Sequence, residues 1–316
     1  MQIFINYKFS LEEKLHFDDN NIKVLAKIAL DFIGVFMKKI LSATILFAIC
    51  FCVFADDASQ FFLPRPFGNV RNYTETNFEI TTKFGDYYRT PRKNYFHEFN
   101  EDGLEIRSSE FNAAGQIVNR IEYAYNDDGN LFSQICYDDN GKIFWKIVTS
   151  FDENGIKSED SEYDGKDNLT GKSVYKNEGA NPAEEIYYNA KGDLIWKNTF
   201  KYSDANLLEE SCSYFANGQL DTRKVYKYDS SENLLEITSF DVSDDLAERE
   251  VFSYNEDFTL NEYTVYGADG KRRTRIFYKY DENKNCVKST TYNVAQKFGT
   301  TVNEMIDQSD FKYEYR

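Results

Sequence analysis

The chain has 316 residues, enough for one large domain or two ordinary ones, and its formal net charge is −16. Such an acidic balance, with no basic stripe to override it, repels phosphate backbones and anionic lipid head groups and excludes nucleic acid as a partner. Aromatics make up 17% of the chain, with 24 Tyr and 27 Phe against only 4 Pro, and mean hydropathy is low at −0.61. The rings therefore alternate with polar residues, which is the pattern of strands.

Residues 1–36 precede a second methionine, and Met37-Lys38-Lys39 opens an uncharged run from Ile40 to Ala55. A short basic stretch, an apolar stretch and small residues before a cut predict a signal peptide over 37–55, cleaved after Ala55. Met37 is then the expected true start and 1–36 a non-native extension. The run is too short to span a bilayer comfortably, so no stable membrane span is expected in the mature chain. Export to the periplasm, the surface or the medium follows, in a bacterial cell envelope. Ile49 and Phe51 stand before Cys50 and Cys52, where lipidation needs a small residue.

Residues 56–98 read as a tether containing Pro64 and Pro66, followed by cap strands around Tyr73 to Phe84. From 99 to 292 an aromatic residue opens a turn at alternating steps of 12 and 14: Phe99, Phe111, Tyr125, Tyr137, Phe151, Tyr163 and onward to Tyr292. The fixed period predicts about eight tandem β-hairpin units of roughly 26 residues. One slip near Tyr175 marks a deletion absorbed by Gly179 to Pro182. In Tyr125-Asn126-Asp127-Asp128-Gly129 and Tyr137-Asp138-Asp139-Asn140-Gly141, the Asn or Asp is expected to accept a backbone N–H two residues on. Gly supplies the left-handed position of a type I turn with a G1 bulge. Glu232 and Lys284 stand where Gly is expected.

Between turns the residues alternate, with Ile143, Trp145, Ile147 and Thr149 on one face of a strand. The fold expected is all-β: one long, twisted antiparallel sheet, coiled or partly closed, with terminal caps. The C-terminal cap, 293–316, reads as a short helix from Val294 to Gln308, interrupted at Gly299, and a last strand from Phe311 to Tyr315. Caps are what a repeat array needs to protect its outer strands.

The turns Tyr123-Ala124-Tyr125-Asn126-Asp127-Asp128-Gly129-Asn130-Leu131, Tyr226-Lys227-Tyr228-Asp229 and Tyr278-Lys279-Tyr280-Asp281 resemble the YD repeats of the Rhs family. The resemblance covers 99–292. It implies long sheets that wrap into a shell around a toxin, or that act in surface contact and carbohydrate binding. The period here is longer, the array is expected to be far too short for a closed shell, and no core motif or toxin domain follows.

No constellation of residues points to catalysis. His97 is the one histidine beyond the leader, and no nucleophile stands near it in sequence. Three scattered cysteines, Cys136, Cys212 and Cys286, make neither a zinc cluster nor a disulfide framework and read as buried small hydrophobes. The acidic turns are too short for an EF-hand loop. Neighbouring carboxylates such as Glu184-Glu185 and Glu209-Glu210 point to opposite faces of a strand and do not make an acid/base pair. Trp145 and Trp196 are the candidate ligand-stacking rings, for a glycan or a protein partner. No cofactor and no metal are expected. The function expected is an exported, non-catalytic β-repeat scaffold or binding protein contacting a protein or a cell-envelope polysaccharide. The alternatives are a polysaccharide-acting glycoside hydrolase and an immunity-type protein.

Overall fold

The computed structural model describes residues 65–316 apart from 298. The expected extension, signal peptide and cleavage after Ala55 lie outside the described residues. Within 65–316 the secondary structure consists of eighteen strands. They are β1 (Val70–Lys83), β2 (Asp86–Phe99), β3 (Glu105–Asn112), β4 (Ile117–Tyr125), β5 (Leu131–Asp138) and β6 (Ile143–Phe151). They continue with β7 (Lys157–Asp164), β8 (Leu169–Glu178), β9 (Asn181–Asn189), β10 (Leu194–Tyr202), β11 (Leu208–Phe215) and β12 (Leu220–Tyr228). The last six are β13 (Leu234–Phe240), β14 (Leu246–Tyr254), β15 (Leu260–Gly267), β16 (Arg272–Tyr280), β17 (Cys286–Lys297) and β18 (Thr300–Tyr315).

Each strand pairs antiparallel with the next, and β18 pairs with β1 from Val70↔Tyr315 to Glu79↔Asp307. The sheet is thus a closed up-and-down barrel, and this corrects the expectation of an open or partly closed twisted sheet. Strand twist alone predicts coiling, but only a partner for both outer strands removes the exposed edges. The segments expected to be caps supply that partner. The predicted helix over Val294 to Gln308 is also corrected: those residues belong to β17 and β18, with Gly299 in the left-handed turn between them (φ 78°). Val294, Tyr292 and Thr290 alternate with polar neighbours, and a closing strand uses that period directly.

The turns follow the chemistry expected of them. Asp138 Oδ1 accepts the backbone N–H groups of Asn140 and Lys142, and Asn126 Oδ1 those of Asp128 and Asn130. Gly129 and Gly141 sit at φ 78° and 74°, and Glu232 and Lys284 adopt the same conformation at 66° and 65°. The aromatic that opens each turn marks a break in register, as between Lys227 and Tyr228 or Lys279 and Tyr280. Its hydroxyl has a structural task. Tyr125, Tyr228, Tyr254 and Tyr280 donate to the carbonyls of Glu105, Leu208, Leu234 and Leu260, each the first residue of the preceding strand. The slip near Tyr175 is a tight hairpin in which Gly179 and Ala180 alone link β8 to β9.

Alternation divides the wall into two chemically different faces. Ile147, Ile276, Glu75, Asn77, Glu185, Ser289 and Ser309 are the most deeply buried side chains, at no more than 1% exposure, and cross-strand register places them on one face. The convex side of a single-layer wall splays its side chains into solvent and cannot bury them so completely, so this face is the interior. The exterior carries a basic residue near the middle of each even strand from β4 to β16, namely Arg120, Lys146, Lys172, Lys197, Arg223, Arg249 and Arg275. Most reach a carboxylate on the preceding strand: Lys172–Glu159 (2.7 Å), Arg223–Glu210 (3.5 Å), Arg249–Glu236 (3.3 Å) and Arg275–Glu262 (2.6 Å). Several also cover a ring on the following strand, such as Arg120 on Tyr137 at 4.5 Å and Arg223 on Phe240 at 4.0 Å. The result is a belt of cross-strand charge and cation–π pairs around the outside.

Candidate functional site

Eighteen strands give about twice the girth of the eight-stranded barrels whose side chains fill their own interior. On the inner wall, Asp160, Glu162, Ser173, Glu185 and Asn198 bring a group of polar side chains together on β7 to β10. Asp160 accepts hydrogen bonds from Thr149 (2.6 Å) and Tyr175 (2.7 Å) and pairs with Lys157. Glu185 accepts from Ser173 (2.7 Å) and Asn198 (3.0 Å). Glu162 accepts from the hydroxyl of Tyr187 at 2.9 Å, although Tyr187 is two strands away on β9. That reach requires a gap in β8, and Gly171 provides it.

Burial sets the protonation of this patch. Loss of solvent pushes the carboxyl of Glu162 up to about 7 and that of Glu185 up to about 8, against the donors from Tyr187, Ser173 and Asn198. Nearby Asp160 adds to the upward push on both. On the outer face Glu184 runs the other way: hydrogen bonding to Lys176 holds its carboxyl below the usual range. Adjacent in sequence, Glu184 and Glu185 indeed face opposite sides of the wall.

The two tryptophans fall on the inward face but not together. Trp196 is buried against Tyr187, with ring centres 5.2 Å apart and planes within 5°. Its ring is thus committed to packing. Trp145 lies four strands away on β6, opposite Cys136, and stays half-exposed. Glu162, Asn198 and Phe200 are further half-exposed inward groups of the region. The carboxylates are hard to single out from sequence because lone Asp and Glu residues are common in so acidic a chain. Their signal is alternation: Asp160 and Glu185 occupy the inward position that Ser108, Gln134 and Ser211 hold in other units, so both carboxylates must face the interior.

His97 is on the same inner face, on β2. Its ring stacks on Tyr73 at 4.4 Å and its Nδ1 meets Glu105 at 2.6 Å. Burial disfavours the imidazolium, but the charge and hydrogen bond of Glu105 prevail and raise its pKa above the ordinary value. Ser108, opposite it on β3, is bonded to Tyr123 instead. Cys136, Cys212 and Cys286 are free and buried. Among the described residues no three His, Cys, Asp or Glu side chains are grouped to hold a metal.

No family model and no curated protein matches the chain. Among solved structures, it is similar to a porin-like protein from Bacteroides uniformis at 10% identity, with a TM-score of 0.41, over 79% of this chain and 99% of that one. A porin-like protein from Bacteroides vulgatus gives 13% identity and a TM-score of 0.35, over 78% and 98%. The Photorhabdus luminescens Tc holotoxin pore gives 11% identity and a TM-score of 0.26, over 69% of this chain but 15% of that one. With scores this low, none of the three tells what this chain binds.

Proposed function

We propose that the chain is an exported, non-catalytic binding protein of the cell envelope that holds a polysaccharide segment against its inner wall. The observation that carries this reading is the division of the closed wall into two faces. The outer belt of paired Lys, Arg and Glu lies mid-strand, where a bilayer-spanning barrel needs an apolar band about 25 Å tall. Such a wall suits water on its outside and leaves the inner face for recognition. There Trp145 offers a half-exposed ring for a sugar face, and Glu162 Oε1 and Asn198 Oδ1, the oxygens not used in the wall's own bonds to Tyr187 and Glu185, offer acceptors for hydroxyls. A protein segment would use the same groups.

A second reading, a polysaccharide hydrolase, draws on Glu162 and Glu185, whose carboxyls hold protons near neutrality. Against it, Ser173, Asn198 and Tyr187 already occupy those carboxyls as donors from the wall itself. The test is a glycan array and an envelope-polysaccharide pull-down with the full chain and its Trp145→Ala variant, beside a turnover assay. Binding without turnover that is lost in Trp145→Ala is the expected result. Turnover abolished by Glu162→Gln would favour the hydrolase, and absence of binding to any glycan would reject the polysaccharide.

A further inference from the structure

Two hairpins beside the closure seam outgrow the rest of the wall. The β1–β2 ladder continues to Lys83↔Asp86, whereas β1 leaves β18 after Glu79↔Asp307. The β17–β18 ladder continues to Lys297↔Thr300, whereas β17 leaves β16 after Thr274↔Asn293. Both therefore project from the same rim by about four residues, roughly 13 Å. Both have the same tripeptide at the turn, Lys83-Phe84-Gly85 and Lys297-Phe298-Gly299.

The first turn is built against local preference. Phe84 and Gly85 form a two-residue link with φ 55° and 89°, a geometry for which Asn-Gly is the favoured pair. A bulky residue in the left-handed region is strained, and here its ring makes no compensating contact, since Phe84 is fully exposed at 103%. Tyr87, Tyr88 and Ile306 are exposed nearby. The projecting stretches, 80–89 and 294–306, hold three basic and two acidic residues in a chain whose net charge is −16. The tips are thus the near-neutral, aromatic end of an acidic molecule.

We infer that these two hairpin tips dock the barrel end-on to the surface of a lipid bilayer, inserting Phe84 at head-group depth with Tyr87, Tyr88 and Lys83 beside it. Aromatic rings flanked by Tyr and Lys are the side chains that settle at a membrane–water interface. The acidic wall is repelled by anionic lipid, so the matching surface is zwitterionic. This inference stands apart from what the inner wall binds.

The test is flotation of the full chain with phosphatidylcholine vesicles. Wild-type protein floats, and Phe84→Asn combined with Phe298→Asn lowers partitioning by about tenfold, because each lost ring removes apolar burial. Asn-Gly suits the Phe84-Gly85 turn, so thermal melting of Phe84→Asn alone stays unchanged or rises. Phe258→Asn is the matched control: Phe258 is also left-handed (φ 68°) and exposed, but sits in a turn at the opposite rim. It leaves flotation unchanged. Phe84→Trp retains flotation and shows a blue-shifted emission on vesicles. The inference is overturned if wild type does not float, if the double variant floats as well as wild type, or if Phe258→Asn falls equally. Concentration-dependent self-association that the double variant abolishes, without flotation, would assign the tips to a second copy and overturn it too.

Discussion

A Cβ on Gly171 would stand 2.1 Å from the hydroxyl oxygen of Tyr187, so this glycine is the space through which Tyr187 crosses β8 to reach Glu162. No side chain other than hydrogen fits there without moving the tyrosine. Gly171→Ala is expected to displace Tyr187, break its bond to Glu162 and disturb its stacking on Trp196. The cost of such overpacking is about 1–3 kcal/mol. Urea denaturation measures it, and the change should appear in tryptophan emission, to which only Trp145 and Trp196 contribute. A variant with wild-type stability and emission would mean that Tyr187 is not held in this path.

The inner carboxyls give stability a pH dependence of unusual sign. Glu162 and Glu185 have folded-state pKa values raised to about 7 and about 8 by burial. A carboxyl raised in this way binds its proton more tightly folded than unfolded. Its contribution is complete below the unfolded value and is lost as pH rises through the folded one. Thermal stability should therefore fall between pH 5 and pH 8.5. Glu185→Gln removes part of that loss, so its Tm should approach or exceed wild type at pH 8.5. The outer carboxyls Glu184, Glu236 and Glu262 are lowered instead, and their contribution disappears on acidification. A Tm curve for Glu185→Gln parallel to wild type across this range would refute the assignment.

The turn residues test how far the repeat is architecture. Tyr280→Phe removes the hydroxyl that closes on the Leu260 carbonyl and should cost about 1 kcal/mol, with Tyr254→Phe and Tyr228→Phe similar. Glu232→Gly relieves a left-handed non-glycine residue and should stabilise by about 1 kcal/mol. Both effects are read from denaturant midpoints at constant slope. If the tyrosine variants were neutral in stability yet lost binding, these rings would belong to a ligand site.

The sequence disclosed the hairpins because turn geometry favours few residues: Asp or Asn opens most turns, as at Asp138, and Gly is the commonest residue at the left-handed position, as at Gly141. It did not disclose closure. Pairing of Glu79 with Asp307 joins segments more than two hundred residues apart, and nothing in either segment's own period says which edge it will meet. The outer belt was legible in principle, since basic residues recur at the repeat period from Arg120 to Arg275. It is masked by the many other charges. The acidic patch depends on Gly171, a single exception to strand propensity whose meaning appears only with Tyr187 lying over it. Trp196 looked like a recognition ring by residue type alone, and packing against Tyr187 decided otherwise.

Closure at the seam makes the sharpest prediction. Asn77 on β1 donates through Nδ2 to Asp307 (2.8 Å) and to the Ser309 hydroxyl (3.3 Å) on β18, while its Oδ1 accepts from Arg92 Nε on β2 (2.8 Å). Asn77, Ser309 and nearby Glu75 are completely buried. Asn77→Leu takes these bonds from half-buried Asp307 and buried Ser309 and should cost about 2–3 kcal/mol. Ending the chain at Tyr292 is a harsher test. It deletes β18 and shortens β17, so β1 and β17 become open edges. In an open array with caps, the remaining hairpins would keep their transition and lose only an end unit. In a closed wall the two new edges should aggregate, with loss of the single cooperative transition in urea and of the monomer peak in size-exclusion chromatography. A soluble monomer melting as wild type would show that the seam does not hold the ring together.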